Sequence, residues 1–228
     1  MLPRFPDGAT AEEARAVLVA AGWNEVGVGD WAWVHASPDG SVVARVTPFD
    51  PAFRLFADAC LEGWTNPLLV RVDELVPLRH KGYAVIMERL HPADEDRAQR
   101  LAAALTIGPD GIPAPPETSD AGLAADSDVI DLRNRLGELV AEGDRRFRVW
   151  GGADIRPANI LQSVDGQLRV TDPVFVRGLD IFEAIRDGDA DRLGDFSRAD
   201  LHDFLSIPVF PPGPETEALR RKVDALLT

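Results

Sequence analysis

Cysteine is almost missing: Cys60 stands alone among 228 residues. An internal disulfide is therefore impossible, and CxxC redox or zinc motifs are excluded. Lysine is nearly as scarce. Lys81 and Lys222 are the only two among 24 basic residues, so tasks that lysine usually performs fall here to arginine. No run of about eighteen apolar residues occurs, which excludes a membrane-spanning helix of ordinary length. The first residues carry prolines and acids in place of an apolar leader, so no secretory signal is expected. The four histidines (His35, His80, His91, His202) show no ligand spacing with one another or with Cys60, which argues against zinc. A Gly-x-Ser-x-Gly elbow is also missing, which excludes a serine hydrolase of that type. Positive charge is in deficit overall, 24 basic against 38 acidic residues, for a net charge of −14. Such a surface repels phosphate backbones, so neither nucleic acid nor an anionic membrane is an expected partner. The lone thiol places the expected compartment in the reducing cytoplasm.

What is present is an ordinary globular composition, 45% hydrophobic, in a chain long enough for one large domain or two lobes. Thr10-x-x-Glu13 is a capping box before an Ala/Val/Leu run, and predicts a helix over 11–21 with Ala14, Val17, Leu18 and Ala21 on one face. Residues 23–47 turn to strand patterning, with a turn at Ser37-Pro38-Asp39-Gly40 and a β-rich run over 41–47. Gly27-x-Gly29-x-x-Ala32 precedes the first strand; alone, such a glycine pair reads first as a hairpin turn. Trp31 and Trp33, separated by Ala32, are expected on one sheet face as packing residues. A helix is predicted over 50–63, capped by Asp50 with Pro51 in its first turn, and strands over 70–75 and 82–87.

After Met87 the chain becomes polar and proline-ended. The sequence therefore divides into an N-terminal helical extension (1–22), a β-rich lobe (23–89) and a mainly helical lobe (90–228). In the last, helices are predicted over 94–105, 128–143, 180–186, 197–205 and 215–226. Residues 108–128 read as a long loop or partly disordered stretch, rich in Pro, Gly, Ser and Asp. The fold class is α+β in two lobes.

The densest chemistry lies between Trp150 and Pro173. Asp154, Asn159 and Asp172 punctuate two short apolar runs separated by Val164-Asp165-Gly166, which reads as loop, strand, tight turn and strand. A hairpin returns Asn159 and Asp172 to one end. Three oxygen-bearing side chains at one point suit a hard divalent cation and a hydroxyl nucleophile.

This layout resembles the protein-kinase-like superfamily, which includes the aminoglycoside and choline phosphotransferases. The likeness runs from about Val26 to the end and is strongest over 152–173. Asp154-Ile155-Arg156-Pro157-Ala158-Asn159 matches the family's Asp-x-x-x-x-Asn loop, and Asp172 follows a hairpin as the family's second acid does. The resemblance implies a small β-rich lobe before a helical one, with ATP and Mg²⁺ as cofactors. It implies that Asp154 orients or deprotonates the acceptor hydroxyl and that Asn159 and Asp172 hold the metal. Gly27 and Gly29 stand for a shortened glycine-rich loop. Arg45 stands for the lysine that touches the α- and β-phosphates, or else is an ordinary strand arginine. Glu62, with Asp58 second, is the acid expected to pair with that cation, or else is a solvated helix acid. Glu88 to Leu90 would be the hinge that meets the nucleotide base. The partners implied are a nucleotide and an acceptor, small molecule or protein, whose identity and whose effect on assembly the sequence does not state. Residues 108–128 and the terminal helices are where acceptor choice would sit.

The sequence departs from the family pattern at several points. Gly152-Ala153 replaces His-Arg or His-Gly, Arg45 replaces lysine, Asp30 brings negative charge to the loop, and Pro173 stands where Phe-Gly is usual. These departures open an alternative: a catalytically impaired pseudokinase that binds a nucleotide or a partner. Transfer of the nucleotide itself is a third possibility.

Overall fold

The computed structural model describes residues 3–108, 111–118 and 120–227. The backbone divides into two compact units. One comprises 1–51, 72–87 and 177–228; the other comprises 52–71 and 88–176.

The first unit opens with α1 (Ala11–Ala20). Its capping box forms as the sequence predicts: Thr10 Oγ1 accepts from the Glu13 N–H at 3.2 Å, and Glu13 Oε2 accepts from the Thr10 N–H at 2.8 Å. A cap of this kind contributes about 1 kcal/mol. Strands β1 (Asn24–Val28), β2 (Trp33–Ala36), β3 (Val42–Thr47), β4 (Val72–Pro77) and β5 (Tyr83–Glu88) form one sheet in the order β1-β2-β3-β5-β4. The pairs β1–β2, β2–β3 and β4–β5 are antiparallel. Ala14 and Leu18 of α1 pack with Ala44, Val46, Ala84 and Ile86 of the sheet. Full burial of a side chain such as Leu18 contributes about 1.5–3 kcal/mol. By strand alternation Val43, Arg45 and Thr47 take the opposite face, and they are buried as well.

The helix α2 (Pro51–Leu61) leaves the first unit at Pro51 and lies between β3 and β4 in the chain. The first unit also contains the C-terminal helices. After α6 (Gly178–Asp187), α7 (Arg198–Phe204) and α8 (Pro214–Leu226) are joined by His202 Nε2 to Asp224 Oδ1 at 2.8 Å and by Arg220 Nη2 to the Leu205 carbonyl at 3.0 Å.

Trp31 and Trp33 do not share a sheet face. Residues 29–32 close a tight turn, with the Gly29 N–H donating to the Ala32 carbonyl at 2.9 Å, so Trp31 falls outside the ladder. Its ring meets Phe49 and Phe204, whereas Trp33 lies under the Arg15 guanidinium, 4.1 Å from the ring centroid. Both remain packing residues.

In the second unit, α3 (Glu95–Ala104), the short α4 (Ala121–Ala124) and α5 (Ser127–Arg146) accompany two small sheets. One contains β6 (His91–Pro92), β8 (Ile160–Gln162) and β9 (Leu168–Val170), in the order β6-β8-β9; the other pairs β7 (Trp150–Ala153) with β10 (Val174–Val176). The predicted hairpin is β8–β9, with Ile160 opposite Val170 and Gly166 at φ +78° in its turn. The sequence gives no sign of β6, β7, β10 or α4. Runs of two to four residues are too short to show a period, and Gly151-Gly152 weakens β7 as a strand signal. The expected loop over 108–128 includes α4, and three of its residues (109, 110 and 119) lie outside the described set.

Candidate active site

The Asp154 loop begins where β7 ends. The Asp154 N–H donates to the Pro173 carbonyl at 2.7 Å, directly beyond the last β7–β10 pair, Ala153 with Val174. Arriving there requires a bend that only glycine makes easily: Gly152 has φ +95°, in the left-handed region. Any residue with a Cβ would be strained at this position. Gly151 is also demanded by space, since a Cβ there would enter the Phe175 ring.

Residues Pro157–Asn159 then form one turn of 3₁₀ helix, and Asn159 leads into β8. Its Nδ2 donates to three oxygens: the Asp154 carbonyl at 2.8 Å, Asp154 Oδ2 at 2.9 Å and the Asp172 carbonyl at 3.0 Å. Three acceptors around one terminus fix which amide atom is nitrogen. Among the described residues nothing donates to Asn159 Oδ1. The Asn159 carbonyl accepts from the Thr171 N–H at 2.9 Å and from Thr171 Oγ1 at 3.1 Å, which ties the start of β8 to the end of β9. Asp154, Asn159 and Asp172 are therefore brought to one cross-braced node, with Thr171 and Pro173 as backbone struts. Arg156 adds a cation, its Nη2 lying 3.1 Å from Asp154 Oδ2. Sequence reasoning missed Thr171, Pro173 and Arg156 as parts of the node; Arg156, two residues after Asp154, was the one legible from spacing.

This donor set fits a hard divalent cation. The Asn159 nitrogen is fully used and its oxygen is left as an acceptor, beside the main chain of Asp172, whose carbonyl the same amide holds. Among the described residues no cluster of three His, Cys, Asp or Glu offers another metal site.

The residues expected to serve the nucleotide are placed as follows. Gly27, Val34 and Arg45 lie in register across β1, β2 and β3. Gly27 and Gly29 have ordinary backbone angles, and a Cβ on either would approach nothing closer than 3.9 Å. Neither is a glycine that the turn requires. Arg45 Nη2 donates to Asp50 Oδ2 at 2.6 Å, and both side chains are more than 90% buried. The acid set on Arg45 is thus Asp50, which the sequence offered as a helix cap, and not Glu62 or Asp58. The chain turns through Thr47-Pro48-Phe49 straight after β3, which carries Asp50 back beneath the strand. Asp58 binds Arg54 one helical turn earlier, and Glu62 is exposed just beyond α2.

Glu88 is tied down in a different way. Its Oε1 accepts from the Arg71 N–H at 2.8 Å and from Arg169 Nε at 3.3 Å, while its own N–H donates to the Arg71 carbonyl at 3.0 Å. It braces the segment beside β9. Leu90 lies half-buried between β5 and β6.

No protein-family model matches the chain, and no curated protein matches it. Among solved structures it is similar to the CAK complex from Chaetomium thermophilum bound to ATP-gamma-S, at 13% identity and a TM-score of 0.39, over 92% of this chain and 76% of that one. A likeness that slight assigns neither fold nor activity.

Proposed function

We propose that this chain is an ATP- and Mg²⁺-dependent phosphotransferase of the protein-kinase-like type, acting on a hydroxyl of a small molecule or protein. The observation that carries the reading is the Asn159 amide, anchored at once to Asp154 and Asp172 with its oxygen left as an acceptor. Asn159 and Asp172 are the metal ligands, and Asp154 is the base. When bound, the metal neutralises charge on the nucleotide phosphates. Asp154 orients the acceptor O–H and accepts its proton as the new O–P bond forms and the bond to the departing ADP breaks. Arg156 and the Asn159 amide hold the Asp154 carboxylate in one orientation for that task.

The test is transfer of labelled γ-phosphate to a panel of acceptors. Asp154→Asn is expected to slow transfer by about 10²–10⁴-fold, the usual contribution of a positioned general base. Undiminished transfer by that variant would remove Asp154 from the role.

A second reading, a pseudokinase that binds nucleotide or partner without transfer, is favoured by the Arg45–Asp50 pair. That pairing occupies the charge expected for phosphate. Thermal-shift titration with ATP separates the two readings: stabilisation that requires Mg²⁺ favours the enzyme, and none at all favours an interaction module.

A further inference from the structure

We propose that the C-terminal segment, residues 178–210, is an autoinhibitory clamp on the β1–β2 turn, and that Mg-ATP binds well only when the clamp is released. The proposal rests on the reading of this turn as the shortened phosphate loop.

The turn is held from several sides within the first unit. The Asp30 carbonyl accepts from the Val209 N–H at 3.3 Å, and the Trp31 carbonyl accepts from Thr47 Oγ1 at 2.6 Å. The Trp31 ring lies 5.7 Å from Phe204 and 6.4 Å from Phe49, centroid to centroid. Phe204 continues the cluster to Phe210 at 5.1 Å, and Phe49 continues it to Phe196 at 5.6 Å. Gly178 opens α6 against the same ring; a Cβ there would sit 2.7 Å from Trp31 Cζ2. Aromatic pairs at these separations each contribute about 0.5–1.5 kcal/mol beyond their burial.

A second, ionic anchor fastens α7 to the β4–β5 turn. Lys81 Nζ lies 2.7 Å from Asp200 Oδ2, and His80 Nδ1 lies 3.1 Å from Asp203 Oδ2. His80 adopts φ +53°, the only non-glycine residue with positive φ among those described. Asp200 is buried while the Lys81 side chain is 57% exposed, so this anchor can be undone from the solvent side without dismantling the aromatic cluster.

A loop that cradles phosphates presents free backbone N–H groups. The clamped turn does the opposite. Its Gly29 N–H is spent within the turn on the Ala32 carbonyl, the Val209 N–H fixes the Asp30 carbonyl and so holds the turn in that form, and Asp30 carries a carboxylate at the tip. Freed from Phe204 and Val209, the turn can re-form around phosphate oxygens, with no Cβ in the way at 27 or 29.

The experiment uses the full chain. Phe204→Ala cuts the aromatic half; Lys81→Met cuts the ionic half at an exposed position and keeps the test available if the first variant folds poorly. Hydrogen exchange over 29–33 and calorimetric titration with Mg-ATP are measured for each. Exchange is expected to accelerate in both variants, and Mg-ATP affinity to rise about tenfold in Phe204→Ala, the gain expected if about one molecule in ten is released at rest. Equal Mg-ATP affinity in wild type and variants, despite faster exchange, would overturn the clamp and leave the nucleotide-site reading standing. Mg-ATP binding by none of the three would overturn both.

Discussion

Asp50→Asn tests what Arg45 does. The substitution keeps the shape of the side chain and leaves the Asp50 carbonyl free to accept from Tyr83 Oη, at 2.7 Å, while removing the charge that faces Arg45. Both partners are more than 90% buried, so the guanidinium left behind cannot recover its loss from bulk water. Removing one member of a buried pair costs about 3–5 kcal/mol. Total stability for a natural domain is about 5–15 kcal/mol, so the loss is a large fraction of it. At about 2–4 °C per kcal/mol for a chain of this size, the melting midpoint should fall by roughly 6–20 °C. Differential scanning fluorimetry and urea titration read this directly. Arg45→Met combined with Asp50→Leu should recover most of the loss, since apolar replacement of a whole buried pair is often neutral or stabilising. A midpoint within about 2 °C of wild type for Asp50→Asn alone would refute the reasoning. It would mean that Asp50 does not balance the Arg45 charge.

Other outcomes follow from single side chains. Burial pushes the Cys60 thiol up to about 12, so this partly exposed thiol should react with a disulfide reagent far more slowly in the native protein than in the unfolded chain; equal rates would contradict that. Burial, aided by the Arg15 charge, lowers the pKa of His35, and Glu25 opposes this. Its neutral form therefore stabilises the fold above the unfolded value of about 6.5, and stability should fall as pH drops below that, by at most about 1.4 kcal/mol per pH unit. Urea midpoints between pH 5 and 8 should flatten in His35→Gln. Gly143→Ala would drive a methyl into the Trp150 ring and should cost about 1–3 kcal/mol, read as a lower urea midpoint.

Local signals carried far in the helices. Thr10 with Glu13 forms the capping box its spacing predicts; Ser197 with Asp200 makes a second such box, and Asp94 caps α3 by accepting from the Arg97 N–H. The β8–β9 hairpin was legible for the same reason, as two short apolar runs flanking a glycine turn. Asp154, Asn159 and Asp172 could be brought together on paper because only a five-residue step separates the first two and the hairpin the last two. The partner of Arg45 was not legible. The resemblance pointed to an acid on the following helix, Glu62 or Asp58, whereas the turn after β3 selected Asp50. Likewise, nothing local joins Trp31 to Phe204 or Lys81 to Asp200, pairs separated by more than a hundred residues.

The amino-acid sequence by itself determined the longer helices, the capping boxes, the hairpin and the place of the three polar residues at its open end. These depend on hydrogen bonds and periodicities that close within a few residues. The tertiary structure alone decided which oxygens hold the Asn159 amide, which acid balances Arg45, and that the β1–β2 turn is held by the C-terminal segment. Each of those depends on burial, which turns weak, long-range pairings into strong ones, and burial is not encoded in any one stretch of the chain.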